Sequence, residues 1–172
     1  MLIRQETKED YSEVYLLVKD AFTTTSFSDG SEPDYLNHLR TKNSFIPELS
    51  LVAVENDVIV GQIVLYEFEF INDKGESKLY LDLSPLSVHV DYFKRGIGTA
   101  LINEGCTRAK DLGYHAVFLC WDPAYYTKFG FDSTYKYGIY HIKDTEKQAD
   151  WCMVKELIPG VLNSSTGFIN IE

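Results

Sequence analysis

The segment Asp91-Tyr-Phe-Lys-Arg-Gly-Ile-Gly-Thr-Ala-Leu-Ile102 places two cations, Lys94 and Arg95, directly before a Gly96-Ile97-Gly98-Thr99 turn that opens an amphipathic helix. Backbone NH groups at a helix start point outward, glycines let a ligand approach them closely, and the helix dipole favours negative charge there. The spot suits an anion, and a phosphate in particular. A second group of residues carries carboxylates. Glu67 and Glu69 alternate with Phe68 and Phe70, so both acids share one face of a strand, with Asp82 on the neighbouring strand. A third stretch, Asp122-Pro-Ala-Tyr-Tyr-Thr-Lys-Phe-Gly-Phe131, gathers phenols and phenyl rings on a short helix. Adjacent helical residues point about 100 degrees apart, so Tyr125 and Tyr126 cannot share one role.

The whole chain is consistent with such a site and excludes several others. With 172 residues, of which 45% are hydrophobic, it is long enough for one sizeable core, and we expect a single domain over 1–172. A net charge of -10 argues against nucleic-acid binding, which needs a basic stripe to displace counterions. Cys106, Cys120 and Cys152 are far apart in sequence, with no C-x-x-C spacing, and read as buried apolar thiols in a reducing compartment. His38, His89, His115 and His141 are equally scattered, so no structural metal is expected. The N-terminus lacks a signal pattern and no apolar run approaches membrane-spanning length, which predicts a cytoplasmic protein with no membrane partner.

The elements that must position these residues follow from periodicity and punctuation. Leu2 to Gln5 reads as a strand. Thr7 with Asp10 three residues later resembles a capping box, opening a helix over Lys8 to Phe22 whose apolar positions are Val14, Leu17, Val18 and Ala21. A polar connection leads to a second helix over Pro33 to Thr41. From Leu51 to Val90 three strands form an antiparallel meander with turns at 56–58 and 72–77. A helix over Gly96 to Leu112 follows, with Ile97, Leu101, Ala109 and Leu112 on one face and Gly113 as its stop. His115 to Cys120 is a buried strand, so strand, helix and strand make a parallel crossover. Asp122 caps the short aromatic helix with Pro123 at its first position, and Trp151 to Leu157 returns antiparallel to complete the sheet.

The Gly-x-Gly has two readings. A dinucleotide-binding crossover needs a third glycine where Leu101 stands and a doubly wound fold, whereas this chain supplies one crossover after an antiparallel meander. The element order instead resembles the GNAT superfamily of acetyl-CoA-dependent N-acetyltransferases. The resemblance rests on LSVHVDYFKRGIGTALI, Leu86 to Ile102, which is similar to the family's pyrophosphate-loop pattern, and on YTKFGF, with Tyr126, Gly130 and Phe131, in the expected order and separation. LSPLSVH and DPAYYTKFGF look most like a bacterial branch of predicted acetyltransferases. The pattern departs at Val90, where proline is common, at Phe93, where Gln or Arg is common, and at Lys94, where many members carry glycine.

The resemblance implies an α/β fold: a mixed, mostly antiparallel sheet of six or seven strands flanked by helices. It implies acetyl transfer from acetyl-CoA to a primary amine by direct attack in a ternary complex, with a small-molecule or peptide acceptor. Lys94, Arg95, Gly96, Ile97, Gly98 and Thr99 would receive the coenzyme's phosphates, the amides by hydrogen bonds and the cations by attraction. Leu86, Ser87, Val88, His89 and Val90 would pair with the pantetheine arm as a sheet edge, and a nearby backbone NH would polarise the thioester carbonyl. Tyr126 would be the general acid for the departing thiolate. Glu67 is the first choice of base, directly or through a water.

A second reading, from another class, is a non-catalytic acyl-CoA-binding or sensing module that keeps the loop without the chemistry. Polyamines, amino-sugar antibiotics, amino acids and protein N-termini remain open as acceptors, with the acidic balance favouring cationic small molecules. A late strand edge offers a route to a homodimer that nothing in the sequence fixes.

Overall fold

The computed structural model describes residues 1–25 and 28–171; Ser26 and Phe27, in the expected polar connection, lie outside them. Nine strands and four α-helices are present among the described residues. In chain order they are β1 (Leu2–Gln5), α1 (Tyr11–Phe22), α2 (Glu32–Leu39), β2 (Phe45–Glu55), β3 (Val58–Ile71), β4 (Ser77–Val88), α3 (Ile97–Asp111), β5 (Ala116–Cys120), α4 (Pro123–Tyr126), β6 (Asp132–Ser133), β7 (Ile139–His141), β8 (Cys152–Glu156) and β9 (Gly167–Ile169). Seven strands form one sheet in the order β1-β2-β3-β4-β5-β8-β6, mostly antiparallel, with β4 and β5 parallel. This is the expected mixed sheet with its single crossover. The two-stranded parallel sheet of β7 and β9 was not expected, because runs of three residues carry no readable alternation. No helix among the described residues is long and apolar enough to cross a membrane.

The chain divides into two compact units, Met1–Tyr66 with Ser84–Arg108, and Glu67–Leu83 with Ala109–Glu172. In the first, α1 and α2 lie against β2 and β3. Val14, Val18, Leu36, Leu39, Val52, Ile59 and Val64 form one buried cluster, so the helical spacing read from the sequence does face a core. The Thr7–Asp10 capping box is formed, but the turn behind it, Lys8–Asp10, is a 3-10 turn and the α-helix starts only at Tyr11. Asp10 is drawn away from pure capping by Arg4, whose guanidinium donates to both its oxygens at 2.7 and 2.8 Å. Deeper in, Arg40 and Glu6 form a buried ion pair, with Ser50 Oγ donating to Glu6 at 2.7 Å and the guanidinium lying 4.0 Å from the Tyr11 ring centre.

The Arg4 bond is the largest of the interactions that hold the Asp10 carboxyl at about 2, below its usual range. A carboxyl depressed on folding stabilises the native state above its unfolded pKa, near 4, and loses that contribution as pH falls towards 2. Asp10→Asn should therefore flatten the fall in stability between those pH values, removing about 1–2 kcal/mol, as read from urea unfolding across a pH series.

Helix α3 packs on the first unit's strands through two glycines. A Cβ on Gly61 of β3 would sit 2.8 Å from Ile97 Cγ2, 3.0 Å from Leu101 Cδ1 and 3.2 Å from the Ser87 carbonyl oxygen. One on Gly105 would sit 2.9 Å from Leu65 Cδ1. Gly61→Ala should lower stability by about 1–3 kcal/mol through overpacking, measured as a drop in Tm. The helix ends in a Schellman motif: Tyr114 N donates to Ala109 O and Gly113 N to Lys110 O, with Gly113 at φ +91. Leu112, expected on the buried face, is exposed because the helix has already ended at Asp111.

The second unit is centred on rings. Phe68, Phe70, Tyr80 and Phe118 stack edge to face or tilted, with centroids 5.2 to 6.4 Å apart, and Ala116, Ile139, Cys152, Val154, Leu162 and Ile169 pack around them.

Candidate functional site

Strand β4 is built irregularly where the site residues lie. His89 N donates to Val60 O, while at the hairpin end Asn72 N donates to Glu76 O. The span 60–72 of β3 therefore faces 76–89 of β4, one residue longer, which is the signature of a bulge. Pro85 falls in that span. Having no NH, proline is admitted to central strands chiefly at bulges, and its carbonyl accepts instead from the Gln62 side chain at 3.2 Å. Because His89 turns its NH to β3, the neighbouring Val88 and, two residues earlier, Leu86 turn their main-chain NH and C=O away from it. Ser87 is buried, and its Oγ has no hydrogen-bond partner among the described residues.

After β4 the chain makes a 3-10 turn, Val90–Tyr92, in which His89 Nδ1 accepts from Asp91 N at 3.2 Å. His89 and Val90, expected as the end of the strand, thus belong to this turn. Lys94 follows at φ +62 and Gly96 at φ +82. Two left-handed residues flanking Arg95, immediately before α3, turn successive NH groups towards one side and build a concave anion nest. Ala100 N donates to Gly96 O, the first bond of the helix, and the amides of Ile97, Gly98 and Thr99 precede it as first-turn donors for which the helix itself supplies no acceptor. A Cβ at Gly96 would meet nothing within 4 Å. The glycine is therefore needed for its backbone angle, and the space beside it is open. Lys94 occupies a left-handed position that glycine adopts without strain, which explains why glycine is common there in the family pattern. Both cations are exposed, but the Arg95 guanidinium pairs with Glu55 at 2.7 Å and stacks 4.7 Å over the Tyr92 ring. The structure thus separates the two cations that the sequence treats alike.

In the second unit Asp122 Oδ1 accepts from Ala124 N at 2.9 Å and Pro123 opens α4, as the sequence implied. Tyr126 is buried, 5% exposed, with the rings of Tyr125, Phe131 and Phe129 at 5.0, 5.6 and 6.4 Å. Tyr125 is only half-buried, so the two tyrosines do have different environments. Burial pushes the Tyr126 phenol well above its usual value, and Tyr125 and Asp82 add in the same direction. Asp82 is fully buried and pairs with Phe118 in the parallel ladder, which runs only over Leu81↔Val117 and Asp82↔Phe118 although both strands continue. Its charge acts on the Tyr126 phenol, a coupling that the sequence alone does not show. The available signal was an acid inside the apolar run Leu-Asp-Leu.

Glu67 is half-buried and accepts a short hydrogen bond from the Tyr114 hydroxyl. Phe68 stacks on Phe118, whose face Asp82 shares, so Glu67, next to Phe68 in the strand, projects to the opposite face. Glu67 and Asp82 therefore do not converge. The cysteines also depart from the expected scatter: Cys120 and Cys152 stand opposite each other on β5 and β8. Among the described residues, no group of three or more His, Cys, Asp or Glu side chains is placed to hold a metal ion.

A sequence profile of the acetyltransferase (GNAT) family matches residues 10–131. The uncharacterized N-acetyltransferase YhbS of Escherichia coli K12 is 32% identical over 133 residues, 77% of this chain and 74% of that protein. A crystal structure of a GNAT family acetyltransferase from Brucella melitensis in complex with acetyl-CoA superposes with a TM-score of 0.70 at 30% identity, over 77% of this chain and 82% of that one. E. coli YhbS, crystallised with CoA, shares the fold over 99% of this chain and 89% of its own with a TM-score of 0.85 at 24% identity. The profile match runs from α1 through the nest and the start of α3 to Phe131 beyond α4, and the chain belongs to the GNAT family of acetyltransferases.

Proposed function

We propose that this N-acetyltransferase transfers an acetyl group from acetyl-CoA to a primary amine by direct attack in a ternary complex. The observation that carries the reading is the anion nest made by Lys94 to Thr99, with left-handed residues at 94 and 96 and open space beside Gly96. Coenzyme A bears a pyrophosphate and a third phosphate, which such a nest and a helix start accommodate. In this reading the amides of Arg95 to Thr99 hold the phosphates and Lys94 adds attraction from solvent. The outward main-chain groups of Leu86 and Val88 receive the pantetheine amides, with Ser87, His89 and Val90 shaping that edge. The buried Ser87 hydroxyl, without a partner among the described residues, is a further polar group fit to meet a ligand amide. Acetyl-CoA itself supplies a thioester whose carbonyl an amine can attack.

Tyr126 holds the proton that the departing sulfur takes up, and its buried setting keeps the phenol protonated. Glu67, oriented by Tyr114, is the proposed base for the acceptor ammonium. The chain's acidity favours a cationic small-molecule acceptor. Isothermal titration with acetyl-CoA, run beside NADH, tests the reading. Binding of acetyl-CoA alone is expected; no binding would leave the nest a structural turn. A protein that binds acetyl-CoA yet never turns over on an amine panel would instead be the sensing module.

A further inference from the structure

Cys120 ends β5 and Cys152 opens β8, and the antiparallel register sets them directly opposite one another. Trp121 N donates to Trp151 O at 2.9 Å, which fixes the kind of pair they form. Hydrogen-bonded and non-hydrogen-bonded pairs alternate along such a ladder. With Trp121 and Trp151 hydrogen-bonded, Cys120 and Cys152 form a non-hydrogen-bonded pair, the closer kind, with a Cα spacing of about 4.5 Å. That spacing falls within the roughly 4.4–6.8 Å that a disulfide spans. Neither cysteine is cross-linked. The two thiols lie close enough to move each other's ionisation, Cys120 upward and Cys152 downward. Their exposure differs: Cys152 is fully buried, whereas Cys120 is partly open to solvent. Cys106 lies on α3 in the other compact unit.

We propose that Cys120 and Cys152 form a two-electron oxidation site that closes to a reversible intramolecular disulfide when a peroxide reaches the pair. One sulfur of the pair, as thiolate, attacks the O–O bond and becomes a sulfenic acid, and the leaving hydroxide is protonated to water. The other sulfur then displaces the sulfenic hydroxyl as a second water, and the S–S bond forms. Two thiols and one hydrogen peroxide give one disulfide and two waters. Two residues beyond Cys120, Asp122 caps α4, the helix that carries Tyr126. A consequence for catalysis rests on the reading of Tyr126 given above; the disulfide itself does not.

The test treats the full chain with a small excess of hydrogen peroxide, alkylates the remaining thiols and measures intact mass and peptide connectivity. The expected product has lost two hydrogens, about 2 Da, carries a 120–152 linked peptide and reverts with dithiothreitol. Trp121 and Trp151, the chain's two tryptophans, flank the pair and should report closure by quenched fluorescence. Cys120→Ser and Cys152→Ser should each abolish the linked product, and Cys106→Ser should leave it intact. Full alkylation of both cysteines after peroxide, or sulfinic acid at Cys120 or Cys152 without a link, would overturn the site. None of these readouts needs acetyl transfer, so failure of the proposed function would be seen separately.

Discussion

Tyr126→Phe should lower kcat about 100-fold, the lower end of what a general acid contributes, while acetyl-CoA affinity stays within about twofold, because the ring's packing is kept. The substitution removes one oxygen from a ring surrounded by Tyr125, Phe129 and Phe131, so the aromatic cage should survive. Tyr125→Phe is the control: a half-buried neighbour on another side of the helix should leave turnover nearly unchanged. The pH dependence adds a second sign. Burial raises the Tyr126 pKa, so the acid remains protonated through the neutral and mildly alkaline range and imposes no alkaline loss of rate below about pH 10. The same raised pKa stabilises the fold below the unfolded tyrosine value and is lost above it. The Phe variant should therefore resist alkaline unfolding better than the parent. Steady-state kinetics and an alkaline unfolding series separate the two effects. An unchanged kcat would remove Tyr126 from the chemistry and leave it a packing residue.

Elements whose signal is local were legible in the sequence. Val14, Leu17, Val18 and Ala21 repeat at helical spacing and are buried, and Gly113 stops α3 in the manner its position implied. Asp122 and Pro123 open α4 as capping chemistry requires. What stayed hidden depends on register, which joins residues far apart in the chain. That Cys120 meets Cys152 follows only from how β8 pairs with β5, and one residue of slip would send the two thiols to opposite faces. Arg95 looked like a phosphate ligand because it precedes a glycine, and nothing nearby in sequence announced Glu55 as its partner. The bulge in β4 is an intermediate case. Pro85 in a central strand was a usable sign that the ladder breaks there, but placing the break requires the hydrogen bonds at both ends of the hairpin.

That division between the two cations sets up the strongest test of the nest. Gly96→Ala should raise the Kd for acetyl-CoA at least about tenfold, since a left-handed angle costs an L residue roughly 1–2 kcal/mol and the new methyl would project into the open space beside the loop. Thermal stability should fall by no more than the strain predicts, because that methyl touches no protein atom. Lys94→Gly works in the opposite direction on the backbone: it relieves the strain at φ +62 while removing a charge. If the amides do most of the holding, Lys94→Gly should bind nearly as well as the parent at high salt and lose affinity mainly at low salt, where attraction is least screened. Arg95→Ala should have a smaller salt dependence than Lys94→Ala, because Glu55 already neutralises the guanidinium. Titrations of acetyl-CoA at two ionic strengths decide among these outcomes. Equal losses for both cations would mean that Arg95 leaves Glu55 to meet the phosphates, and an unaffected Gly96→Ala would place the pyrophosphate away from the nest.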